Sequence, residues 1–222
     1  MAGIKKVVIF GANGQIGKLL SAQMAKTSDF KPISVIRTAE QRPYFENLGI
    51  ETRLLSLEDK VEDIATHLQG VDAVVFTAGA RGNPPGLLAV DLDGAGKTVE
   101  AAERAQVKRY IIVSAYKAYD RNVWFNSPIK LYYIAKYYAD QAVLNSRLDY
   151  TILQPARLLD SPGTGQIENV TKAETVDQSR RQIPREDVAT SVVEALRNDS
   201  TIGKTLQLVS GEFPIGAVFK GL

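Results

Sequence analysis

Three side chains in the second half of the chain could carry proton transfer to or from a carbonyl or hydroxyl group. Tyr132 and Lys136 are four residues apart, so a helix would place them on one face. A nearby ammonium group favours the tyrosinate and is expected to lower the tyrosine pKa from about 10 toward neutral pH. Ser114 follows the apolar run Tyr110–Val113 and could orient the reacting group while Tyr132 transfers the proton.

A glycine-rich segment near the N-terminus has the spacing of a dinucleotide-binding turn. Glycines recur at every third position between a predicted strand and a predicted helix. Gly11 would make the sharp turn, Gly14 would let backbone N–H groups approach a pyrophosphate, and Gly17 would let helix and strand pack closely. The pyrophosphate would then lie at the positive end of the helix. The predicted binding residues here are Gly11, Asn13, Gly14, Gln15, Ile16 and Gly17.

The residue at the end of the second predicted strand bears on the choice of dinucleotide. NAD sites usually carry an acidic residue there, about 20 residues past the turn, to bind the ribose 2′-hydroxyl. This chain has Arg37 instead, and its next acidic residue is Glu40. A guanidinium can pair with a 2′-phosphate through two hydrogen bonds. Arg37 therefore favours NADP, with NAD possible, while the alternative is an arginine that merely lies in a surface loop.

The composition excludes several classes of site. The chain has no cysteine and one histidine, so we expect no metal centre, no disulfide and no Ser-His-Asp hydrolase. Its net charge of +2, without a basic stripe, argues against nucleic-acid binding. Residues 1–6 show no leader pattern, and no apolar run approaches the ~18 residues of a membrane span. We therefore expect a cytoplasmic protein that does not contact membranes.

Short apolar runs alternate with longer helical patterns along most of the chain. The predicted strands are Val7–Phe10, Ile33–Ile36, Ile50–Leu55, Ala73–Phe76, Tyr110–Val113, Tyr150–Leu153 (ending at Pro155) and Thr205–Val209. The predicted helices are Gln15–Lys26, Gln41–Leu48, Leu57–Leu68, Leu87–Ala105, Ile129–Leu144 and Pro184–Arg197. This alternation predicts an α/β fold: a Rossmann-like, doubly wound parallel sheet with helices on both faces.

The chain reads as a single domain over residues 1–222. Residues 156–183 are polar and interrupt the alternation, and the tail over residues 211–222 follows the last predicted strand. Both are expected to be small elaborations on the substrate side of the domain. A second nucleotide-like string, Gly94–Thr98, lacks the first glycine of a P-loop and lies within a helical pattern, so we expect no phosphate site there.

With these motifs in place, the chain resembles the short-chain dehydrogenase/reductase superfamily. The resemblance is to its atypical branch, which includes NmrA-like proteins and NAD(P)-dependent epimerases or dehydratases. It spans nearly the whole chain and depends on several segments taken together. These are the glycine turn, Val74–Ala80, Val90–Ala95, Val107–Ser114, Tyr132–Lys136, Asp149–Pro155 and Arg185–Ala189.

The resemblance implies roles for further residues. Thr77, Ala78 and Gly79 would line the dinucleotide between its adenosine ribose and its nicotinamide. Leu57 would pack near the adenine, and Pro155 would border the nicotinamide. Ser114, Tyr132 and Lys136 match the catalytic Ser/Tyr/Lys set, whose tyrosine and lysine also contact the cofactor. The fourth catalytic position, usually asparagine, is Asp91.

The departures from the family pattern leave alternatives open. Asp91 is expected to weaken the proton relay, and Gln154 stands where many relatives have arginine. The aromatic loop Tyr116–Phe125 could form a wall of the substrate pocket or a dimer contact, so both a monomer and a homodimer stay open. Tyr132 and Lys136 could also be an exposed pair on an amphipathic helix.

Three functional hypotheses follow. The first is an NADP-dependent oxidoreductase or epimerase-like enzyme acting on a small carbonyl or hydroxyl compound. The second is an NmrA-like sensor that binds dinucleotide without turnover, and the third is a flavin or quinone reductase. The Ser/Tyr/Lys set favours an enzyme, whereas Asp91 and the short C-terminal portion favour a sensor.

Overall fold

The computed structural model describes residues 5–80 and 82–222 and contains a seven-stranded parallel sheet. Residues 1–4, part of the segment expected to show no leader pattern, lie outside the described ranges. The strands of the main sheet are β1 (Lys5–Phe10), β2 (Phe30–Ile36), β3 (Glu51–Leu54), β4 (Ala73–Phe76), β5 (Arg109–Val113), β6 (Asp149–Pro155) and β10 (Lys204–Leu208). The predicted Rossmann-like fold is confirmed.

Helices cover both faces of this sheet. They are α1 (Gln15–Ala25), α2 (Arg42–Glu46), α3 (Val61–Thr66), α4 (Pro84–Gly86), α5 (Ala95–Arg104), α6 (Arg121–Trp124), α7 (Lys130–Leu144), α8 (Arg185–Arg197) and α9 (Ile215–Lys220). One apolar core lies between the sheet and α1, α8 and α9, and a second lies between the sheet and α3, α5 and α7. The strands are apolar on both faces because both are buried.

The strand order is β10-β6-β5-β4-β1-β2-β3. The chain therefore builds the sheet outward from β1 in one direction and, after β3, outward from β4 in the other. The carboxyl ends of β1 and β4 flank the point where the direction reverses, which is where ligands bind in open α/β sheets. The glycine turn follows β1, and Thr77, Ala78 and Gly79 follow β4.

Several predicted bounds are corrected by the structure. The helix predicted over Leu87–Ala105 consists of a π-helical segment, Leu87–Gly94, followed by α5. The P-loop-like string Gly94–Thr98 spans the junction of these two segments. The helix predicted over Leu57–Leu68 is reduced to Val61–Thr66. β6 begins at Asp149, one residue before its predicted start, and ends at Pro155 as predicted, with the proline as its last residue. A proline can close a parallel strand because only its N–H is missing, and its carbonyl still accepts from the Tyr116 N–H at 2.9 Å.

The two regions described as elaborations contain short strands that pair in two small two-stranded sheets, separate from the main sheet. β7 (Arg157–Leu159) pairs in parallel with β9 (Gln182–Pro184), and β8 (Gln166–Ile167) pairs antiparallel with β11 (Phe213–Pro214). Asp187, at the start of α8, accepts hydrogen bonds from the backbone N–H groups of Thr164 and Gly165 at 3.0 and 2.8 Å. This carboxylate ties the loop before β8 to α8.

Within the described ranges, none of the helices combines the length and the apolar character that crossing a membrane would require.

Candidate active site

The glycine turn is shaped by contacts between backbone atoms. Gly11 has a φ of +78°, and a Cβ at this position would lie 2.5 Å from the backbone nitrogen of Ala78. A Cβ on Gly17 would lie 2.3 Å from the carbonyl oxygen of Gly11. Distances this short exclude any side chain, so both positions require glycine. The turn therefore brings the start of α1 directly against the ends of β1 and β4.

The N-terminus of α1 is open to an anion. Gly14 is the residue that precedes the helix, no side chain caps it, and the first turn contains no acidic residue. Ile16 is largely buried, Asn13 is half-buried, and Gln15 is exposed and donates a hydrogen bond to Asp160 at 3.0 Å. Uncapped N–H groups and the helix dipole together form the kind of site that binds a phosphate.

Arg37 directly follows β2, at the same edge of the sheet. Its side chain is exposed, and its backbone N–H donates to Gln41 at 3.0 Å. Among the described residues, no carboxylate forms an ion pair with its guanidinium. Arg37 thus lies at the carboxyl edge of the sheet, and its contact with a cofactor stays a prediction.

The other predicted cofactor-binding residues lie at the carboxyl ends of β3, β4 and β6. Thr77 ties the end of β4 to β1, because its hydroxyl donates to the Phe10 carbonyl at 3.0 Å. Ala78 is buried beside Gly11, and Gly79 is exposed. Leu57 is 8% exposed and belongs to the core between the sheet and α5, so only its edge can meet a ligand. Pro155 is buried at the end of β6.

The catalytic candidates converge at the start of α7. Lys136 is 3% exposed, and its ammonium lies 3.0 Å from Oδ1 of Asp91, which is fully buried in the π-helical segment. The same nitrogen lies 5.7 Å from the centre of the Tyr132 ring. Oδ2 of Asp91 accepts from the Ala80 N–H at 2.7 Å. Tyr132 and Lys136 are therefore not an exposed helical pair, since the lysine is buried in an ion pair.

Ser114 lies in the same cluster, and its hydroxyl contacts Asp140, a residue that was not among those predicted from the sequence. Its hydroxyl donates to Oδ2 of Asp140 at 2.8 Å, and the Gln154 side-chain amide donates to the same oxygen at 3.0 Å. Asp140 is 4% exposed and follows Lys136 by one helical turn. The four-residue spacing from Tyr132 to Lys136 to Asp140 was the signal available in the sequence.

Burial and neighbouring charges shift the pKa values of Tyr132 and Lys136. Burial raises the pKa of Tyr132, Lys136 acts to lower it, and Asp91 and Asp140 raise it, with a net shift upward. The expectation that Lys136 would bring this pKa toward neutrality is therefore wrong in net direction, because burial outweighs the ammonium. Burial lowers the pKa of Lys136, but Tyr132, Asp91 and Asp140 together shift it upward. Tyr132 is thus a neutral phenol beside a charged lysine.

The aromatic loop divides into buried and exposed residues. Trp124 is 2% exposed, stacks on Tyr133 with a ring-centroid distance of 6.3 Å, and donates to the Ala118 carbonyl at 2.9 Å. Phe125 and Tyr119 are exposed, and Tyr116 is half-buried. Trp124 therefore fixes the loop against α7, while Phe125 remains on the surface.

The chain is similar to several known proteins over most of its length. Residues 11–199 match the model of a family described as NAD(P)H-binding. The chain is 42% identical over 223 residues to the UPF0659 protein YMR090W of Saccharomyces cerevisiae, covering 98% of each chain. It is 41% identical over 219 residues to the uncharacterized sugar epimerase YhfK of Bacillus subtilis, covering 98% of this chain and all of that protein. The crystal structure of the oxidoreductase YlbE from Lactococcus lactis superposes with a TM-score of 0.87 at 33% identity, covering 98% and 96% of the two chains.

Proposed function

The chain belongs to the NAD(P)H-binding family of the atypical short-chain dehydrogenase/reductase superfamily, and from this membership we propose that it is an NADP-dependent oxidoreductase acting on a small carbonyl or hydroxyl compound. The observation that carries the proposal is the buried ion pair of Lys136 with Asp91 beside Tyr132. A buried pair is costly to form and gives little net stability, so a role in the chemistry explains its presence better than a role in folding does.

The residues of the turn fit a dinucleotide. Gly11 and Gly17 let the turn pack against Ala78 and against itself with no side chain between, and the N-terminus of α1 lies uncapped beside it. The turn from Gly11 to Gly17 would hold the pyrophosphate, and Arg37 would hold the 2′-phosphate that distinguishes NADP from NAD. When bound, the nicotinamide supplies or accepts the hydride.

Tyr132 would act as the proton donor in the reductive direction. Its raised pKa keeps the phenol protonated at neutral pH, so the proton is available for the oxygen of a carbonyl that gains a hydride. Lys136 remains a cation and stabilises the tyrosinate formed when the proton leaves. The direction favoured by these charges is therefore reduction of a carbonyl to a hydroxyl.

Asp91 would fix the lysine rather than relay protons. One of its oxygens is held by the Ala80 N–H and the other lies against the Lys136 ammonium. A carboxylate in this position keeps the ammonium charged and in one place, which the neutral asparagine of related enzymes does less strongly. Two similar proteins, one named as a sugar epimerase and the other as an oxidoreductase, agree with chemistry at a hydroxyl-bearing or carbonyl carbon.

One observation favours a second candidate, a dinucleotide-binding sensor without turnover. The single proton of the Ser114 hydroxyl is donated to Asp140, so Ser114 offers lone pairs rather than a donor to a substrate carbonyl. A carbonyl would then be polarised by Tyr132 alone unless Ser114 rotates away. A sensor needs no such rotation.

Measuring NADPH turnover distinguishes the oxidoreductase from the sensor. The wild-type protein should oxidise NADPH with at least one member of a panel of aldehydes, ketones, quinones and flavins. Tyr132→Phe should lower kcat by roughly 100-fold or more while leaving the Kd for NADPH nearly unchanged. The matched control is Tyr133→Phe, which keeps the ring that stacks on Trp124 and should retain activity.

Intact NADPH binding without consumption of any acceptor would favour the sensor. Turnover of flavins or quinones that survives Tyr132→Phe would show that hydride transfer there needs no protein proton donor. Either result would reject Tyr132 as the catalytic acid.

A further inference from the structure

The glycine turn is joined to a distant part of the chain through one carboxylate oxygen. The side-chain amide of Gln15, the first residue of α1, donates to Oδ1 of Asp160 at 3.0 Å. The guanidinium of Arg185, the first residue of α8, donates to the same oxygen at 2.8 Å. Because two donors on one oxygen lie next to each other, the guanidinium of Arg185 lies beside the start of α1.

The secondary structure brings these side chains together. Asp160 directly follows β7 and Arg185 directly follows β9, and these two strands pair in parallel. The start of α8 is also fixed against α1, because the side-chain amide of Gln23 in α1 donates to the Thr190 hydroxyl in α8 at 3.1 Å. The position of Arg185 is therefore set by the strand it follows and by the helix it begins.

The carboxylates that follow Arg185 in α8 have other partners. Glu186 accepts from the backbone N–H of Gly163 at 2.8 Å. Asp187 is buried and accepts from two further backbone N–H groups of the same loop. Among the described residues, Arg185 forms an ion pair with Asp160 alone.

Arg185 has donors that a ligand can reach. Its side chain is 20% exposed, and only Nη1 donates to a described residue. Nε and Nη2 are not closed off from solvent. Asp160 is 75% exposed, and water weakens the attraction of an exposed carboxylate for its partner. A more highly charged anion at this position can therefore replace Asp160 on the guanidinium.

The anion expected at this position is a pyrophosphate. The uncapped N-terminus of α1 is the proposed pyrophosphate site, and Gln15 lies in its first turn. Lys18, the basic residue of that turn, lies over the Tyr44 ring, with its ammonium 4.8 Å from the ring centre. Arg185 is thus a cation that α8, and not the turn itself, supplies to the start of α1.

We propose that Arg185 is a further cofactor-binding residue, which donates to the pyrophosphate of the dinucleotide in place of Asp160. Asp160 holds the guanidinium beside the turn before the dinucleotide binds and competes with the pyrophosphate for it. This inference rests on the proposed function only in placing a pyrophosphate at the glycine turn, and it requires no turnover. Since NAD and NADP share the pyrophosphate, Arg185 acts on both, unlike Arg37.

The test is fluorescence titration of the full-length protein with NADPH and with NADH. Arg185→Met removes the guanidinium and should raise both dissociation constants by about tenfold or more. Asp160→Asn removes the competing charge, keeps an acceptor oxygen, and should lower both constants by about two- to fivefold. Both variants break the same ion pair, so a purely structural role of the pair would change affinity in the same direction in each.

A second ion pair of α8 provides matched controls. Arg197, the last residue of the helix, pairs with Asp29 at 2.8 Å, at the opposite end of α8 from the turn. Arg197→Met and Asp29→Asn should each leave both dissociation constants within about twofold of wild type. Thermal unfolding checks that all four variants are folded.

Unchanged affinity in Arg185→Met would overturn the proposal, and so would weaker binding in both Arg185→Met and Asp160→Asn. A loss confined to NADPH would overturn it as well, because Arg185 would then act on the 2′-phosphate. Failure of the wild type to bind either dinucleotide would reject the pyrophosphate site and both proposals with it. Binding that depends on Arg185 without consumption of any acceptor would support this inference while rejecting the oxidoreductase.

Discussion

The two sides of the candidate active site hold their shape by different means. In the glycine turn the shape comes from backbone atoms packed so closely that Gly11 and Gly17 admit no side chain. Around α7 it comes from ionised and polar side chains buried among strands and helices, with Lys136 against Asp91 and Ser114 against Asp140. The close approach at Gly17 lies within the turn and that at Gly11 reaches Ala78 after β4, whereas the buried polar network needs side chains brought together from distant parts of the chain.

This difference has an energetic consequence. Backbone packing in the turn is uncharged, so its stability should depend little on pH. The α7 network contains two buried carboxylates and one lysine, so its stability depends on which groups are ionised. Variants on the two sides should therefore differ both in the size of their effect and in how that effect varies with pH.

The largest effect is expected from Lys136→Met. Methionine fills much of the space of the lysine but leaves the Asp91 carboxylate buried without its ammonium. Breaking a buried pair in this way should lower the free energy of unfolding by about 3–5 kcal/mol and abolish turnover. Urea denaturation at pH 7.5, together with NADPH oxidation, measures both effects.

The control for this variant is the double change Lys136→Met/Asp91→Asn. The asparagine can still accept from the Ala80 N–H, yet it carries no charge, so most of the lost stability should return while activity does not. A loss below about 1 kcal/mol for Lys136→Met alone would mean that the pair is not buried as described.

The next largest effect is expected from Gly17→Ala, on the other side of the comparison. The added Cβ would lie 2.3 Å from the Gly11 carbonyl oxygen, so the turn must open. We expect a loss of about 3 kcal/mol and loss of measurable dinucleotide binding, from overpacking rather than from charge. Gly96→Ala is the control, because a Cβ on this helical glycine meets nothing within 4 Å and should stabilise by up to about 1 kcal/mol. Retained NADPH affinity in Gly17→Ala would contradict the assignment of the turn.

Asp140→Asn should act in the opposite direction and depend on pH. Burial raises the pKa of Asp140 from 3.8 to about 6, so between these values the folded state holds a proton that the unfolded state has lost. Ionisation of Asp140 therefore costs stability as the pH rises from 3.8 to 6, by about 1.4 kcal/mol per pKa unit, or about 3 kcal/mol in all. Asparagine carries no charge and should remove this cost at pH 8.

The measurement is the difference in unfolding free energy between Asp140→Asn and wild type across pH 4 to 8. It should be near zero at pH 4 and rise to about 3 kcal/mol in favour of the variant by pH 8. Asp149→Asn, a change at an exposed position, should shift stability by less than about 0.5 kcal/mol. A difference that is flat with pH would show that the buried charge of Asp140 is compensated.

The difference between the glycine turn and the α7 network also explains which features could be predicted from the sequence alone. The strand-turn-helix was predictable because Gly11, Gly14 and Gly17 lie close together in the sequence at the spacing of a dinucleotide-binding turn, although the contact of Gly11 with Ala78 is long-range. The π-helical segment was not, since an extra residue per turn leaves the apolar pattern of Leu87–Gly94 looking like an ordinary helix. That segment decides where Asp91 lies relative to Lys136.

The polar network was only partly predictable. Asp140 continues the four-residue spacing from Tyr132 and Lys136, so its place on the same helix face could be derived. That its carboxylate contacts Ser114 depends on how α7 lies across β5. The pairing of Gln154 with Gln207 depends on β10 joining the edge of the sheet next to β6, which is a long-range contact without a local signal.

The smallest effect is expected at the edge of the glycine-turn side, from Arg37→Ala. The side chain is exposed, so folding stability should change by less than about 0.5 kcal/mol. A 2′-phosphate held by this guanidinium would lose a charge-assisted hydrogen bond, so the Kd for NADPH should rise about tenfold while that for NADH stays within about twofold. Fluorescence titration with both dinucleotides measures the two constants.

Arg147→Ala is the control for that experiment, because its side chain is 91% exposed and follows α7 near the amino end of β6, far along the chain from the turn. It should leave both dissociation constants unchanged. Equal weakening of NADPH and NADH by Arg37→Ala would remove the argument for NADP. It would also show that the charge of Arg37 acts on the pyrophosphate, so that even this side of the site depends on a charged side chain in addition to its backbone.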